Sequence, residues 1–221
     1  MQKLTLIFSI IIITLLSPIR SNANNLPLSG IRQLYENLHL QDKVCYNAFQ
    51  QAVAGYNKMN VKNPVLTIID FSKASTEERM YVIDMEKKIL LFRSHVAHGK
   101  NSGANYATSF SNKPGSYQSS LGFYLTEKTY QGKNGLSLVL NGLEKGINDN
   151  AKSRAVVIHG ADYCNPKSAK SLGRLGRSFG CPALPKELTK PIIDTIKNGS
   201  LLYIYSESYN NTYLKESSIL N

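Results

Sequence analysis

Acidic residues are scarce in this chain: its 221 residues hold 15 Asp and Glu against 26 Lys and Arg, a formal charge of +11. Such a surplus favours anionic partners, among them charged polymers and lipid headgroups. The basic residues are scattered, however, and no segment interleaves them with aromatics, which argues against a nucleic-acid-binding protein. Cysteine is scarcer still. Cys45, Cys164 and Cys181 are far apart, so there is no CxxC metal knuckle, and no metal site or cofactor is expected. Apolar runs that could span a bilayer are lacking, since the longest, residues 4–16, falls short of the roughly 20 residues a spanning helix needs. The chain has no internal repeat, and strands do not alternate with helices, which argues against a parallel α/β fold.

The one apolar run has a recognisable setting. Lys3 precedes it, only Ser9 and Thr14 interrupt it, and Ser21-Asn22-Ala23 follows as a small–x–small cleavage site. That is the layout of a secretory signal peptide over residues 1–23, and the mature chain is expected to begin at Asn24, outside the cytoplasm, with no membrane segment left. An odd number of cysteines in an exported chain leaves at least one thiol free or paired between chains. A Cys45–Cys164 disulfide stays open as one alternative, because sequence does not fix the distance between them.

Lys62-Asn63-Pro64 divides the remainder into a helical extension, 24–62, and a main domain, 63–221. Residues 29–59 read as helical: Val44, Phe49, Ala52, Val53, Tyr56 and Met59 recur at three- and four-residue spacings, after Pro27 and Gly30. Beyond the divide the texture changes to short β-rich runs, at 65–70, 79–84, 89–97, 122–126, 136–140, 155–159 and 201–205. One strong helix is expected among them, with Pro191 in its first turn, Ile192, Ile193 and Ile196 on its apolar face and Gly199 as its stop. Many strands and few helices predict a mainly β domain, a sandwich or barrel-like sheet pair. Two Gly-, Ser- and Asn-rich loops, around 98–120 and 160–180, are long enough to suggest a functional purpose.

The chemistry concentrates in two segments. Val156-Val157-Ile158-His159-Gly160-Ala161-Asp162-Tyr163 is an apolar strand ending in His-Gly, and Gly173-Arg174-Leu175-Gly176-Arg177-Ser178-Phe179-Gly180-Cys181-Pro182 is a glycine-punctuated, basic approach to a cysteine. A free thiol with a pKa near 8.5 is mostly protonated at neutral pH, and an imidazole or guanidinium beside it favours the thiolate. His159 and Arg177 are the candidates for that field. Gly180 permits close backbone approach, so the amides around Gly180 and Cys181 are candidate oxyanion donors. A lone cysteine is more often an inert buried thiol, and a lone histidine an ordinary core or surface residue. Together with an export signal, His-Gly at a strand end and Ser-x-Gly-Cys favour a nucleophile, Cys181, and its base, His159.

At these residues the chain resembles the murein L,D-transpeptidase catalytic-domain family, whose members carry a His-Gly upstream of a Ser/Thr-His-Gly-Cys motif on a β-sandwich. Residues 66–72, 96–103, 110–116, 119–124 and 173–184 are similar to one branch of it, so the resemblance covers nearly the whole mature chain. It implies an L,D-transpeptidase-like β-sandwich with a short N-terminal helical extension, located in the periplasm or the cell wall of a bacterium and acting on peptidoglycan stem peptides. Cys181 would attack the L-centre carbonyl of a stem tetrapeptide, release terminal D-alanine and form a thioester that an amine resolves, with His159 shuttling the proton. Water as acceptor would make it an L,D-carboxypeptidase. A silent wall-binding module would need neither residue, and a papain-like protease would place its cysteine before its histidine.

Three departures stand out. Phe179 occupies the position of the usual histidine, the 159-to-181 spacing is slightly long, and Pro182 follows the cysteine. Any second-imidazole role would be vacant or pass to Arg177 or Ser178. Further candidates are His98, which opens a loop that the resemblance puts beside the cleft, and Tyr163, Asp162 and Gly160, which follow or adjoin His159. His95 and His98 resemble a ligand pair, but residues three apart on a strand face opposite sides.

Overall fold

The structure, a computed structural model, describes residues 26–208, so the signal-peptide segment lies outside the described residues. The helical stretch consists of two helices, α1 (Leu28–Asn37) and α2 (Tyr46–Lys58). They are separated where His39 adopts a left-handed φ of 52° and Leu40 and Val44 turn inward. The Tyr35 hydroxyl closes this corner by donating to the Val44 carbonyl at 2.7 Å. Apolar spacing continues across the break because both helices press against the same sheet.

Among the described residues that sheet contains all eight strands: β1 (Val65–Asp70), β2 (Met80–Asp84), β3 (Ile89–Ser94), β4 (Gly122–Gly132), β5 (Gly135–Gly142), β6 (Val157–Gly160), β7 (Ala183–Leu184) and β8 (Leu201–Tyr205). Their order is β3-β2-β1-β8-β4-β5-β6-β7. The pairs β1–β8 and β6–β7 are parallel and the others antiparallel. The mainly β expectation therefore holds. Alternate residues explain why β1 and β8 read as unbroken apolar runs. Leu66, Ile68, Leu201 and Tyr203 face α1 and α2, whereas Ile69, Leu202 and Ile204 face a second core containing Ile192, Ile193 and Ile196.

Those three isoleucines belong to α4 (Lys186–Ile196), and here the expectation needs correction: Pro191 lies inside the helix, not in its first turn. The helix starts earlier, after Pro185. Pro191 is on its exposed side, where the carbonyl left without an amide partner meets water. The loop around 160–180 holds a 3-10 turn (Asp162–Cys164) and a short helix, α3 (Pro166–Leu172). Asn165 caps α3 through the Lys167 amide, and Gly173 ends it at a φ of 69°. All three cysteines are free. Cys45 packs beside the α1–α2 core and Cys164 in a separate small cluster with Ala97 and Ala183, so the open alternative of a Cys45–Cys164 disulfide is not realised.

Ile193 is fully buried where α4 meets the sheet. Ile193→Ala is expected to cost about 2–5 kcal/mol of stability, read as a lower midpoint in urea with the slope unchanged.

Candidate active site

Backbone pairing assembles the site. In the parallel β6–β7 ladder His159 is opposite Ala183, two residues past Cys181. The segment from Ala97 to Lys100 grips the other side of the cysteine turn: Ala97 and Ala183 exchange hydrogen bonds, Ser178 N–H donates to the His98 carbonyl at 2.9 Å, and Lys100 N–H donates to the Ser178 carbonyl at 2.8 Å. The two long loops of the sequence thus meet at Cys181.

His159 is 3% exposed, and its Nδ1 lies 2.9 Å from the Gly160 carbonyl oxygen. A carbonyl only accepts, so Nδ1 carries the proton and the neutral ring keeps its basic lone pair on Nε2. Gly160 therefore orients the His159 ring, and it also lines a depression of about 430 Å³ with Tyr163, Lys133 and Lys186. Asp162 does not orient the imidazole: its carboxylate faces outward and pairs with Lys186 at 2.7 Å.

Cys181 is half-buried and its Sγ lies 3.7 Å from the Ala155 carbonyl. Burial holds the thiol above its ordinary pKa, while a hydrogen bond from the Val157 backbone and the charge of Arg154 oppose that rise. The cation beside Cys181 is thus Arg154, and Arg177 is elsewhere: its Nη1 donates to the carbonyls of Lys100 and Gly103 at 3.2 and 2.9 Å. Arg154 is fixed by donating to the Ser111 and Gln118 carbonyls, at 2.8 and 2.7 Å, and to the hydroxyls of Ser116 and Ser120. None of these acceptors is a carboxylate, so its charge is not neutralised by them. Ala155, next in the chain, takes a left-handed φ of 54°, rare for a residue with a Cβ, and this bend turns its carbonyl towards the thiol. Sequence reasoning missed Arg154 because only the tertiary fold brings it to Cys181. The one available signal was its position immediately before the His-Gly strand.

The supporting residues divide. Ser178 Oγ accepts from the Gly180 amide at 3.0 Å and donates to the Cys181 carbonyl at 2.6 Å, cinching the turn that carries Cys181. The Gly180 amide is consequently already spent on Ser178. The Cys181 amide, by contrast, makes no hydrogen bond among the described residues and remains the candidate oxyanion donor. Gly180 has a φ of +127°, and a Cβ there would lie 2.9 Å from the Gln118 carbonyl oxygen and 3.5 Å from Arg154 Nη2, so only glycine fits. Tyr163 is partly exposed; burial and the nearby Cys181 both raise its phenol above its ordinary pKa, which puts it within electrostatic reach of Cys181.

His98 is not brought to the cleft. It has no exposed surface, its Nδ1 accepts from Arg79 Nη2 at 2.8 Å, and its Nε2 faces the Gly103 carbonyl at 3.4 Å. Burial, then the Arg79 charge, lower its pKa to about 4. His95 points elsewhere, to the Thr76 carbonyl at 3.1 Å.

Residues 40–205 match the family model described as the L,D-transpeptidase catalytic domain, more than half of the chain, and the chain belongs to that family. No curated protein matches. Similar solved structures include an L,D-transpeptidase from Mycobacterium smegmatis, with 14% identity, a TM-score of 0.39, and coverage of 64% of this chain and 58% of that one. L,D-transpeptidase 3 from Mycobacterium tuberculosis has 11% identity, a TM-score of 0.41, and coverage of 64% and 61%. An L,D-transpeptidase from Stackebrandtia nassauensis has 13% identity, a TM-score of 0.39, and coverage of 81% and 78%. The chain thus spans less than two thirds of the two mycobacterial proteins.

Two outcomes test the site electrostatics. Arg154→Met should move the pH of half-maximal iodoacetamide alkylation of Cys181 up by about one, whereas Arg177→Met should leave it in place. Separately, a neutral buried His98 binds a proton more weakly folded (about 4) than unfolded (6.5), so the unfolded state takes up more protons between these values. This contribution to stability is full above pH 6.5 and lost as pH falls towards 4. Melting curves of wild type and His98→Gln should therefore diverge in slope across that window, wild type losing more.

Proposed function

We propose that this protein is an exported cysteine acyltransferase that performs L,D-transpeptidation on peptidoglycan stem peptides. Family membership supports the substrate class. The observation that carries the mechanism is the fixed tautomer of His159, whose Nδ1–H is given to the Gly160 carbonyl so that Nε2 can take a proton. The surplus of basic residues suits an anionic wall, and residues 1–23 carry the signal-peptide layout that would deliver the chain there.

Burial keeps the Cys181 proton on sulfur at rest, so attack requires a base at the moment of reaction. In the proposed cycle the His159 Nε2 removes that proton as Sγ adds to the L-centre carbonyl of a stem tetrapeptide. The oxyanion forms against the free Cys181 amide and in the field of Arg154. Collapse breaks the bond to D-alanine, whose nitrogen leaves with the proton held by His159, and a Cys181 thioester remains. An acceptor amine gives its proton to His159 as it attacks, and the thiol is restored when that proton returns to sulfur. Residues 24–62 act as an extension of the catalytic domain, 63–221, and share a core with its sheet.

Intact-protein mass spectrometry with a stem tetrapeptide or a carbapenem is the direct test. Wild type should gain one covalent adduct on Cys181, and Cys181→Ala should gain none while keeping its melting temperature. His159→Gln should form the adduct only at raised pH. Equal turnover by Cys181→Ala and wild type would end this reading.

A further inference from the structure

Beside the nucleophile is a side-chain cluster that the mechanism above does not use. Phe179, two residues before Cys181, is 69% exposed, and Tyr117 from the other long loop is 42% exposed. Their ring centroids are 5.0 Å apart with the planes inclined at 51°. The Lys100 ammonium sits over both, 4.3 Å from the Tyr117 centroid and 4.7 Å from that of Phe179.

The backbone holds these three residues in place. Lys100 N–H donates to the Ser178 carbonyl at 2.8 Å and Asn101 N–H to the Tyr117 carbonyl at 3.2 Å. Asn101 Nδ2 reaches the Ser116 carbonyl at 2.8 Å, and Gln118 Nε2 returns to the Asn101 carbonyl at 3.1 Å. Tyr117 takes a left-handed φ of 54° within this mesh, and Gly99 lets the strands close, since a Cβ there would lie 2.5 Å from the Tyr117 carbonyl oxygen. The rings are therefore presented on a braced frame.

Among the described residues the Lys100 ammonium has no carboxylate or carbonyl partner, so its three N–H donors are unspent. Aromatic faces hold a cation by their quadrupole without neutralising it. Such a cation recognises an anion, and the exposed rings offer an apolar surface for the carbon body carrying it. A neutral sugar would need the ring faces that the ammonium covers, and a metal ion would need anionic ligands that are not there.

We propose that Lys100, Tyr117 and Phe179 form a subsite that binds a free carboxylate of the stem peptide on the Phe179 side of Cys181. The proposal rests on the stem-peptide reading above. Phe179 then does not replace an imidazole as a proton carrier; it supplies a seat for the lysine.

The test compares full-chain wild type, Lys100→Met and Phe179→Leu on a stem tetrapeptide and on versions with each carboxylate converted in turn to the carboxamide. Iodoacetamide labelling of Cys181 runs in parallel. For wild type, one amidation should raise KM about fivefold, the size of an exposed ion pair. Lys100→Met should raise KM for the free acid to the same value with kcat retained, and be indifferent to that amidation. Phe179→Leu should raise KM by a smaller factor. The subsite is overturned if Lys100→Met stays as sensitive as wild type to every amidation. It is also overturned if either variant slows iodoacetamide labelling as much as peptide turnover, because the cluster then only props the cysteine turn. If wild type labels normally yet turns over no stem peptide in any form, the stem-peptide reading fails and takes this subsite with it.

Discussion

The cleft depends on one short parallel pairing, β6 with the two-residue strand β7. It sets His159 opposite Ala183 and so fixes where Cys181 falls. A strand of two residues has little stability of its own, and here it is held from both sides: Ala97 exchanges hydrogen bonds with Ala183, and the Ala161 amide donates to the Leu184 carbonyl at 2.9 Å. His159 lies in this backbone ladder and Cys181 two residues before it, although the two are 22 positions apart in the chain. The intervening segment, with α3, can vary in length without altering that ladder, which gives the longer His-to-Cys spacing a physical explanation.

Behind this ladder is a second constraint, the fully buried guanidinium of Arg79. Its Nε and Nη2 donate to the Val96 carbonyl at 2.9 and 2.7 Å, and its Nη1 to the Lys73 carbonyl at 3.0 Å. The remaining bond goes to His98. Burial lowers its pKa to about 9, still well above neutrality, so a positive charge is kept inside with carbonyl dipoles and the Phe71 ring around it. Removing any one partner would strand a desolvated donor, which ties the segment from Val96 to His98 to the sheet and, through the His98 carbonyl, to Ser178.

Much of this was legible from residue order, for identifiable reasons. Strands β1 and β8 announce themselves as continuous apolar runs because they are buried on both faces. The His-Gly and Ser-x-Gly-Cys segments were legible because their chemistry is local to each motif. What could not be read was whatever depends on direction in space. Arg177 adjoins Cys181 in sequence yet points to the carbonyls of Lys100 and Gly103, while Arg154, 27 residues away, provides the cation. His98 opens a cleft loop, but its ring turns inward to Arg79. β7 was too short to leave a pattern, and α3 had only cap signals around a seven-residue helix. The break within the helical stretch 29–59 left no mark on the spacing, because apolar spacing continues through a corner when both arms cover one surface.

The protonated resting state of Cys181 bears on the chemistry of oxidation. Peroxide and disulfide exchange act on thiolates, so sensitivity follows the fraction of sulfur that is ionised. Burial that disfavours the thiolate also slows conversion of this thiol to a sulfenic acid. For an exported protein, as proposed above, that protection has a use, because its surroundings are oxidising. The fold has no stake in the same redox chemistry: with all three cysteines free, no disulfide holds any part of it together. Oxidant damage would therefore modify Cys181 in a molecule that remains folded, and a reductant would restore the thiol as long as oxidation had stopped at the reversible stage.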